Sequence, residues 1–167
     1  MEDSLMLVGL IADTHDRVPA IKDFVKLFAE RGAPLVMHAG DYCAPFSLNP
    51  FIEANMAVLG IFGRNDGDPE GLKAHAAAGV GTELYESPHS FDVSGSRILL
   101  VHDLGEVNKR SIESHDIVVH GLTHRQETVT RGKTLLINPG EACGWLSGRC
   151  TAALLDLDTK QVEILTL

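Results

Sequence analysis

Cysteine is scarce in this 167-residue sequence, which contains only Cys43, Cys143 and Cys150. An odd number of cysteines without paired spacing fits neither a disulfide framework nor a zinc finger. We therefore expect three free thiols, none of them a metal ligand. Free thiols are typical of a reducing compartment, so the expected location is the cytoplasm.

Positive charge is scarce as well. The 14 Lys and Arg residues are outnumbered by 23 Asp and Glu residues, which gives a formal net charge of −9. A chain of this charge repels a polyphosphate backbone unless a local metal or basic site reverses the field. We therefore expect no nonspecific binding to nucleic acid.

Long apolar runs are also missing. The first apolar run covers residues 5–12, follows Glu2 and Asp3, and stops at Asp13. Because it is short and has an acidic start, we expect neither a signal peptide nor a membrane span. The sequence contains no internal repeat, linker or low-complexity stretch. A chain with 44% hydrophobic residues is long enough for one buried core, so we expect a single domain over residues 1–167.

The sequence does contain a series of short apolar runs that are typical of β-strands. Segments 131–133 and 158–161 have the composition of hairpin turns, which predicts antiparallel strands in the last third of the chain. The parallel front and the antiparallel back are expected to share one core. The runs cover residues 6–13, 34–41, 57–66, 96–103, 116–124, 134–140, 151–158 and 161–167.

Helical signals occur in three places between these runs. Pro19 starts a helix that ends at Gly32, and with the runs on either side it forms a βαβ unit. Asp68 caps a second helix that stops at Gly79, and a third covers about residues 106–114. The first helix carries an apolar stripe with i, i+3, i+4, i+7 spacing, formed by Ile21, Phe24, Val25 and Phe28.

Residue types that bind metals stand at the C-terminal ends of the apolar runs, the edge where open α/β sheets form their ligand sites. Asp13 and His15 are two residues apart, so their side chains leave the same side if strand geometry persists. Each segment alone is more often a turn, a cap or a buried histidine, whereas the ordered combination indicates a metal site. The segments are DTH at 13–15, GD at 40–41, GRND at 63–66, His102, and GLTH at 121–124.

The sequence resembles the calcineurin-like metallophosphoesterase superfamily, in particular its small phosphodiesterase branch in bacteria and archaea. The resemblance implies an α/β fold, a four-layer α-β-β-α sandwich of two mixed β-sheets flanked by helices, with a dinuclear metal site at one edge. It extends over nearly the whole chain, through LIADTHD at 10–16, HAGD at 38–41, the glycine-led segment at 63–66, HGLTH at 120–124 and INPGE at 137–141.

The resemblance also implies which residues bind metal. Asp13, His15, Asp41 and His124 match the ligands of the first metal, and Asp41 would bridge to the second. The second metal site departs from the family pattern. Arg64 stands where the family has an asparagine ligand, Leu122 replaces a histidine ligand, and Asp103 follows His102 where glycine is usual.

Because both losses fall on the second site, we expect one bound ion rather than two, with the Arg64 guanidinium replacing the second cation. Arg64 would hold a phosphate oxygen pair or a carboxylate, either Asp41 or Asp103. Three alternatives stay open. Asn65 supplies the missing amide if the loop is shifted by one residue. His120 replaces the missing histidine, although a place in the core or behind the ligands is favoured. Arg64 is a solvated surface side chain.

The expected function is metal-dependent hydrolysis of a small phosphoester, by resemblance a phosphodiester, with a metal-activated water. Carboxylate and imidazole ligands suit manganese best, with iron, zinc or nickel as alternatives, and the lack of thiolates argues against structural zinc. His102 is expected to supply the leaving-group proton or hold a phosphate oxygen, and Arg64 to stabilise developing charge. Asp66 orients the loop or a ligand histidine, and Asn65 joins Arg64 and His102 in contacting phosphate.

A non-catalytic interaction module is the alternative function, since the superfamily also includes a retromer subunit that resembles these enzymes but serves mainly as a scaffold. The altered second metal site favours this alternative. The sequence leaves a homo-oligomer open. Trp145 is expected in the core or at a subunit contact rather than at the rim of the cleft.

Overall fold

A computed structural model of the protein describes residues 6–167 as two mixed β-sheets with helices on their outer faces. The first sheet has the order β11-β10-β1-β2-β3-β4 and the second has the order β5-β6-β7-β9-β8. The strands are β1 (Leu7–Ile11), β2 (Leu35–His38), β3 (Ala57–Ile61), β4 (Leu84–Tyr85), β5 (His89–Val93), β6 (Ser96–Val101), β7 (Ile117–His120), β8 (Glu127–Arg131), β9 (Thr134–Asn138), β10 (Thr151–Asp156) and β11 (Val162–Thr166). The helices are α1 (Val18–Glu30), α2 (Asn49–Glu53), α3 (Pro69–Val80) and α4 (Lys109–Glu113), and 3₁₀ turns cover Pro45–Leu48 and Leu104–Glu106.

Each sheet has a parallel centre and antiparallel additions. Strands β1 to β4 are parallel in the first sheet, and β10 joins β1 in antiparallel pairing, followed by β11. In the second sheet β6, β7 and β9 are parallel, and β5 and β8 are antiparallel edges. The last hairpin of the chain therefore completes the sheet begun by the first strand, as expected for a front and back that share one core.

Alternating side chains of the strands separate three apolar layers. One layer lies between the sheets, where Leu10 of β1 and Leu100 of β6 are fully buried. A second packs α1 on the outside of the first sheet. On the outer face of the second sheet, Leu99 packs against Ile112 of α4. The four-layer sandwich is thus built by the period-2 alternation of the strands.

The helices agree with the sequence pattern apart from the end of α3, the length of α4 and the presence of α2. The predicted stripe of α1 is buried, and Gly32 follows the helix with φ of 77°. Asp68 caps α3 by accepting from the Gly71 backbone, as predicted, but the helix passes Gly79 and ends at Gly81 in the left-handed conformation. Gly79 instead allows close packing, since a Cβ there would lie 2.5 Å from Ile52. The third predicted helix, at 106–114, shortens to α4, and α2 carries no sequence signal.

The C-terminal ends of the parallel strands of both sheets meet at one edge. The loops after β1 and β2 are tied together, because the Asp13 backbone donates to the Gly40 carbonyl at 3.1 Å and the His15 backbone to that of Asp41 at 3.0 Å. His102, which follows β6, bridges the two sheets with Nδ1 2.8 Å from the Ala39 carbonyl oxygen. In the described part of the chain, no helix is both long and apolar enough to cross a membrane.

Candidate metal centre

The loops at this edge share an unusual backbone conformation. Asp13, His15, Asp41 and His124 have φ of 51°, 38°, 62° and 60°, in the left-handed region that side chains other than glycine rarely adopt. Leu122 joins them with φ of 68°. Such strain tends to collect at functional sites, where the surrounding structure offsets its cost. The strand geometry assumed for Asp13 and His15 is absent, since β1 ends at Ile11, and the loops themselves aim these side chains.

Side-chain atoms of the predicted residues converge on a small volume. Nε2 of His15 lies 3.3 Å from Oδ2 of Asp41 and 3.8 Å from Oδ1 of Asp13. Nε2 of His124 lies 3.6 Å from that same oxygen of Asp13. Atoms that each bind one ion at about 2.1 Å are separated from each other by roughly 3 to 3.5 Å. The spacing of these atoms therefore suits a shared cation.

Several of these atoms are buried without a hydrogen-bond partner. Within residues 6–167, both carboxylate oxygens of Asp13, Nε2 of His15 and Nε2 of His102 make no hydrogen bond, and Asp13 is fully buried. Leaving a buried polar group unpaired costs about 1–3 kcal/mol, and more for a charged group. A divalent ion beside Asp13, His15 and His124 would satisfy the unpaired atoms of Asp13 and His15, so the donor set fits a metal of the type that takes oxygen and nitrogen ligands.

Electrostatic coupling among these groups is strong. Burial alone would raise the pKa of Asp41, but the His102 ring, with Nε2 3.5 Å from Oδ1, and the hydrogen bonds from Asn65 hold it well below its usual range. Burial opposes charge on His102, yet the Asp41 carboxylate, 3.5 Å away, and the Ala39 carbonyl raise the pKa of His102 to about 9. The Asp13 carboxylate likewise raises the pKa of His15. The carboxylates at this edge thus form a strongly negative field that attracts cations.

In the loop at residues 63–66, Asn65 and not Arg64 lies beside Asp41, although the family pattern places Arg64 at the ligand position. Asn65 contacts Asp41 twice, since its backbone N–H donates to Oδ1 at 2.9 Å and its amide Nδ2 donates to Oδ2 at 2.8 Å. The guanidinium of Arg64 pairs with Asp103 instead, and its side chain is 58% exposed. Of the registers left open by the sequence, the geometry matches the one in which Asn65 carries the amide beside Asp41.

Two neighbouring residues fix this loop. Asp66 accepts backbone hydrogen bonds from Asp41 at 3.1 Å, Cys43 at 2.9 Å and Gly63 at 2.6 Å. It therefore holds the loops after β2 and β3 together, and its orienting role stays a prediction. Gly63 allows the close approach, because a Cβ at this position would lie only 2.2 Å from Oδ1 of Asp41.

Comparison with known proteins assigns the family. Residues 6–160 match the model of the calcineurin-like phosphoesterase superfamily domain. The chain belongs to this superfamily. A phosphodiesterase from Methanocaldococcus jannaschii is 28% identical over 165 residues, which cover 97% of this chain and 99% of the relative.

Solved structures agree with this assignment. The structure of an archaeal phosphodiesterase has a TM-score of 0.91 and 28% identity, and the match covers 97% of this chain and 100% of that one. Zinc-complexed Vps29 from Entamoeba histolytica has a TM-score of 0.69 and 19% identity over 97% and 98% of the two chains, which shows a shared fold. The predicted superfamily and the fold of two mixed sheets are confirmed.

Glu141 contributes to the site of this superfamily member without having been assigned a role from the sequence. Its Oε2 lies 2.7 Å from Nδ1 of His124, and it also accepts hydrogen bonds from Leu146 and Ser147. Although burial opposes the charge, these donors lower the pKa of Glu141 to about 2. A carboxylate on Nδ1 leaves Nε2 of His124 free to face Asp13. The available signal was its place at the end of the INPGE segment.

His38 is a second residue without a sequence-based role. It is fully buried, its Nδ1 accepts from the Gly40 backbone at 3.1 Å, and its Nε2 lies 3.1 Å from the Thr14 hydroxyl. Burial lowers the pKa of His38 to about 3, so the ring is neutral and serves as a hydrogen-bonded support for the loops. His120 is also buried, 3.6 Å from Glu127, which agrees with its expected place in the core.

Trp145 does not lie in the core, the first of its two predicted places, and the predicted subunit contact stays a prediction. Its side chain is 61% exposed, its indole N–H donates to the His15 carbonyl at 3.3 Å, and the Arg17 guanidinium lies 4.6 Å from its ring centre. The indole therefore lies at the rim of the metal centre. It is held there by the backbone of His15 and by the cation–π contact with Arg17. An apolar pattern in the sequence does not predict either contact.

Proposed function

We propose that this superfamily member is a metal-dependent phosphodiesterase that hydrolyses a small phosphoester substrate. The observation that carries the proposal is the set of buried, unpartnered ligand atoms on Asp13 and His15. The name of the Methanocaldococcus jannaschii relative, a phosphodiesterase, supports a diester over a monoester. We also propose that residues 1–167 act as one domain, and the three free thiols support a cytoplasmic location.

In this proposal one divalent ion is held by Asp13, His15, Asp41 and His124, two of which supply carboxylate and two imidazole. This donor set favours manganese, with iron, zinc or nickel as acceptable ions. Asn65 holds the Asp41 carboxylate in place through its two hydrogen bonds. We also assign its amide a contact with the phosphate. The absence of a histidine at position 122 supports a single ion.

The bound ion supplies positive charge for a phosphoryl oxygen and lowers the pKa of a water molecule. The chain provides the remaining steps. His102 donates from Nε2 to a phosphate oxygen or to the leaving group, since its Nδ1 is held by the Ala39 carbonyl at 2.8 Å. Arg64, anchored by Asp103, presents its guanidinium to the charge that develops on the phosphate. Asp66 fixes the loop at residues 63–66 by accepting hydrogen bonds from the backbones of Asp41 and Gly63.

The test is hydrolysis of bis(p-nitrophenyl) phosphate and p-nitrophenyl phosphate by protein stripped with a chelator and then given manganese, iron, zinc or nickel. We expect no turnover before metal is added, turnover of the diester with manganese, and slower turnover of the monoester. Absence of turnover with all four ions would overturn the hydrolase proposal. A monoester preference would overturn only the assignment of the diester.

A non-catalytic interaction module is the second candidate, and one observation favours it. Trp145 and Leu146 are 61% and 77% exposed on one loop, and exposed large apolar side chains are typical of interaction surfaces. The absence of hydrolysis, together with tight metal binding, would support this candidate. Under that outcome, replacing Trp145 and Leu146 with serine should leave metal binding unchanged.

A further inference from the structure

A small cavity borders the metal centre on the side of His124. Its volume is about 210 Å³, and it is lined by His124, Arg125, Gln126, Ser147, Arg149 and Thr151. Ligand pockets for drug-sized molecules occupy about 300–1,000 Å³. The cavity is therefore suited to a single polar group of a larger molecule whose remainder lies elsewhere. Because His124 belongs both to the cavity wall and to the metal centre, such a molecule would reach both.

The cavity carries positive charge in a chain of net charge −9. Within residues 6–167, the guanidinium groups of Arg125 and Arg149 form no salt bridge and no hydrogen bond with another residue. No acidic side chain among these residues lines the cavity. The Glu141 carboxylate behind the wall is already engaged by Ser147 and His124. Two arginines without a protein counter-ion therefore point to an anion as the missing partner.

Hydrogen bonds fix the backbone that carries each arginine. The Arg149 backbone donates to the Ser147 hydroxyl at 3.2 Å, and that hydroxyl is bound to Glu141. On the other wall, the Arg125 backbone donates to the Thr123 hydroxyl at 3.3 Å, which also accepts from Asn138 at 3.0 Å. Positions fixed in this way reduce the entropy lost when a ligand is bound.

We propose that this cavity is an anion subsite that binds a second phosphate group of the substrate, joined by a short spacer to the phosphate that lies at the metal centre. The proposal deepens the proposed function and rests on it for the position of the first phosphate. The planar guanidinium groups of Arg125 and Arg149 match a tetrahedral anion through paired N–H donors, and the hydroxyl groups of Ser147 and Thr151 complete the wall. The substrate is then a small molecule with two phosphates.

Binding can be tested without turnover, using alkane bisphosphonates with two, three or four methylene groups and the matched alkyl monophosphonates. Calorimetry with the manganese-loaded protein should show that the bisphosphonate of best-fitting length binds at least about tenfold more tightly than its monophosphonate, since tenfold corresponds to about one charge-assisted contact. Arg125→Gln and Arg149→Gln should each remove most of this difference. Arg97→Gln, a matched change at an exposed arginine near the start of β6, should preserve it.

The result that overturns the subsite is equal binding of bisphosphonates and monophosphonates at every spacer length, or a preference that survives both cavity substitutions. Failure of the proposed function looks different. If the wild-type protein hydrolyses no phosphodiester but shows the arginine-dependent preference, the subsite stands and the hydrolase fails. If it hydrolyses diesters but lacks the preference, the hydrolase stands and the subsite fails.

Discussion

The two halves of the candidate metal centre differ in how their polar atoms are paired. In the metal-facing half, which comprises Asp13, His15, Asp41 and His124, three buried atoms of Asp13 and His15 lack a hydrogen-bond partner among the described residues. In the outer half, which comprises Arg64, Asn65, His102 and Leu122, Arg64 pairs with Asp103 and Asn65 pairs with Asp41. Nε2 of His102 is the exception in the outer half.

The unpaired atoms of the metal-facing half would be satisfied by a cation, whereas most polar atoms of the outer half already have protein partners. Each unpaired buried polar atom costs about 1–3 kcal/mol, so the metal-facing half retains a cost that a bound ion would offset. In the outer half, Arg64 and Asn65 are paired with carboxylates of the protein, so most of this cost is absent. The departures from the superfamily pattern at positions 64 and 122 leave the side chains of the metal-facing half unchanged.

The largest effect should come from Asp13→Asn, which removes one of the two buried carboxylates of the metal-facing half while preserving its shape. Manganese should bind at least about 100-fold more weakly. This loss exceeds the roughly 10-fold to 100-fold loss of affinity that is typical when a residue that only orients a metal ligand is replaced. In chelator the variant should melt no lower than wild type, because an uncompensated buried charge is gone. Calorimetry and thermal melts with and without manganese measure both effects. Asp92→Asn, at an exposed residue of β5, is the control, and equal manganese affinity in Asp13→Asn would break the comparison.

Glu141→Gln should weaken manganese binding by about 10-fold to 100-fold, the range for a residue that orients a metal ligand. The carboxylate lies 2.7 Å from Nδ1 of His124, and an amide holds that ring less strongly. Metal titration followed by calorimetry measures the change, with Glu86→Gln at an exposed position as the control. Unchanged affinity would show that His124 is positioned without Glu141.

Arg64→Gln should lower kcat/KM for a phosphodiester by about tenfold, the effect of one lost charge-assisted contact. The Arg64 side chain is 58% exposed, so the free energy of unfolding should change by less than about 1 kcal/mol. Steady-state kinetics and a denaturant titration check the two expectations, and Arg97→Gln serves as the matched control. If kcat/KM is unchanged, Arg64 is the solvated side chain of the alternative interpretation.

The smallest effect is a change in stoichiometry. Leu122→His should raise bound manganese from about one ion per chain toward two, because Asn65 already lies beside Asp41 and two-metal sites share a bridging carboxylate. Asn65→Ala in the same background should remove the second ion. If a second ion appears only when Arg64→Asn accompanies Leu122→His, then position 64 and not position 65 carries the ligand. Metal analysis by mass spectrometry distinguishes these results.

Much of the fold follows from the sequence because its signals are local and periodic. Every predicted strand run contains a strand, and the stripe of α1 from Ile21 to Phe28 is buried as its spacing indicates. The convergence of loops follows from the rule that parallel strands end at one edge. The five-residue helix α2 could not be predicted, because it is too short to carry a periodic apolar pattern.

The pairing within the candidate site was less accessible from the sequence. The choice between Arg64 and Asn65 depends on how the loop after β3 packs against Asp41, where Gly63 permits a contact that a Cβ would block. The bond from Glu141 to His124 joins residues 17 positions apart, in the loops that precede β8 and follow β9. Such contacts depend on left-handed backbone angles at several loop residues, and short motifs do not encode them.

The most direct measurement is the anomalous difference density of a crystal of the wild-type protein soaked with manganese, recorded at the manganese absorption edge. We predict one peak per chain, within about 2.0–2.3 Å of side-chain atoms of Asp13, His15, Asp41 and His124. The Arg64 guanidinium should remain beside Asp103. No peak among these four side chains, or two peaks of equal height, would contradict the account.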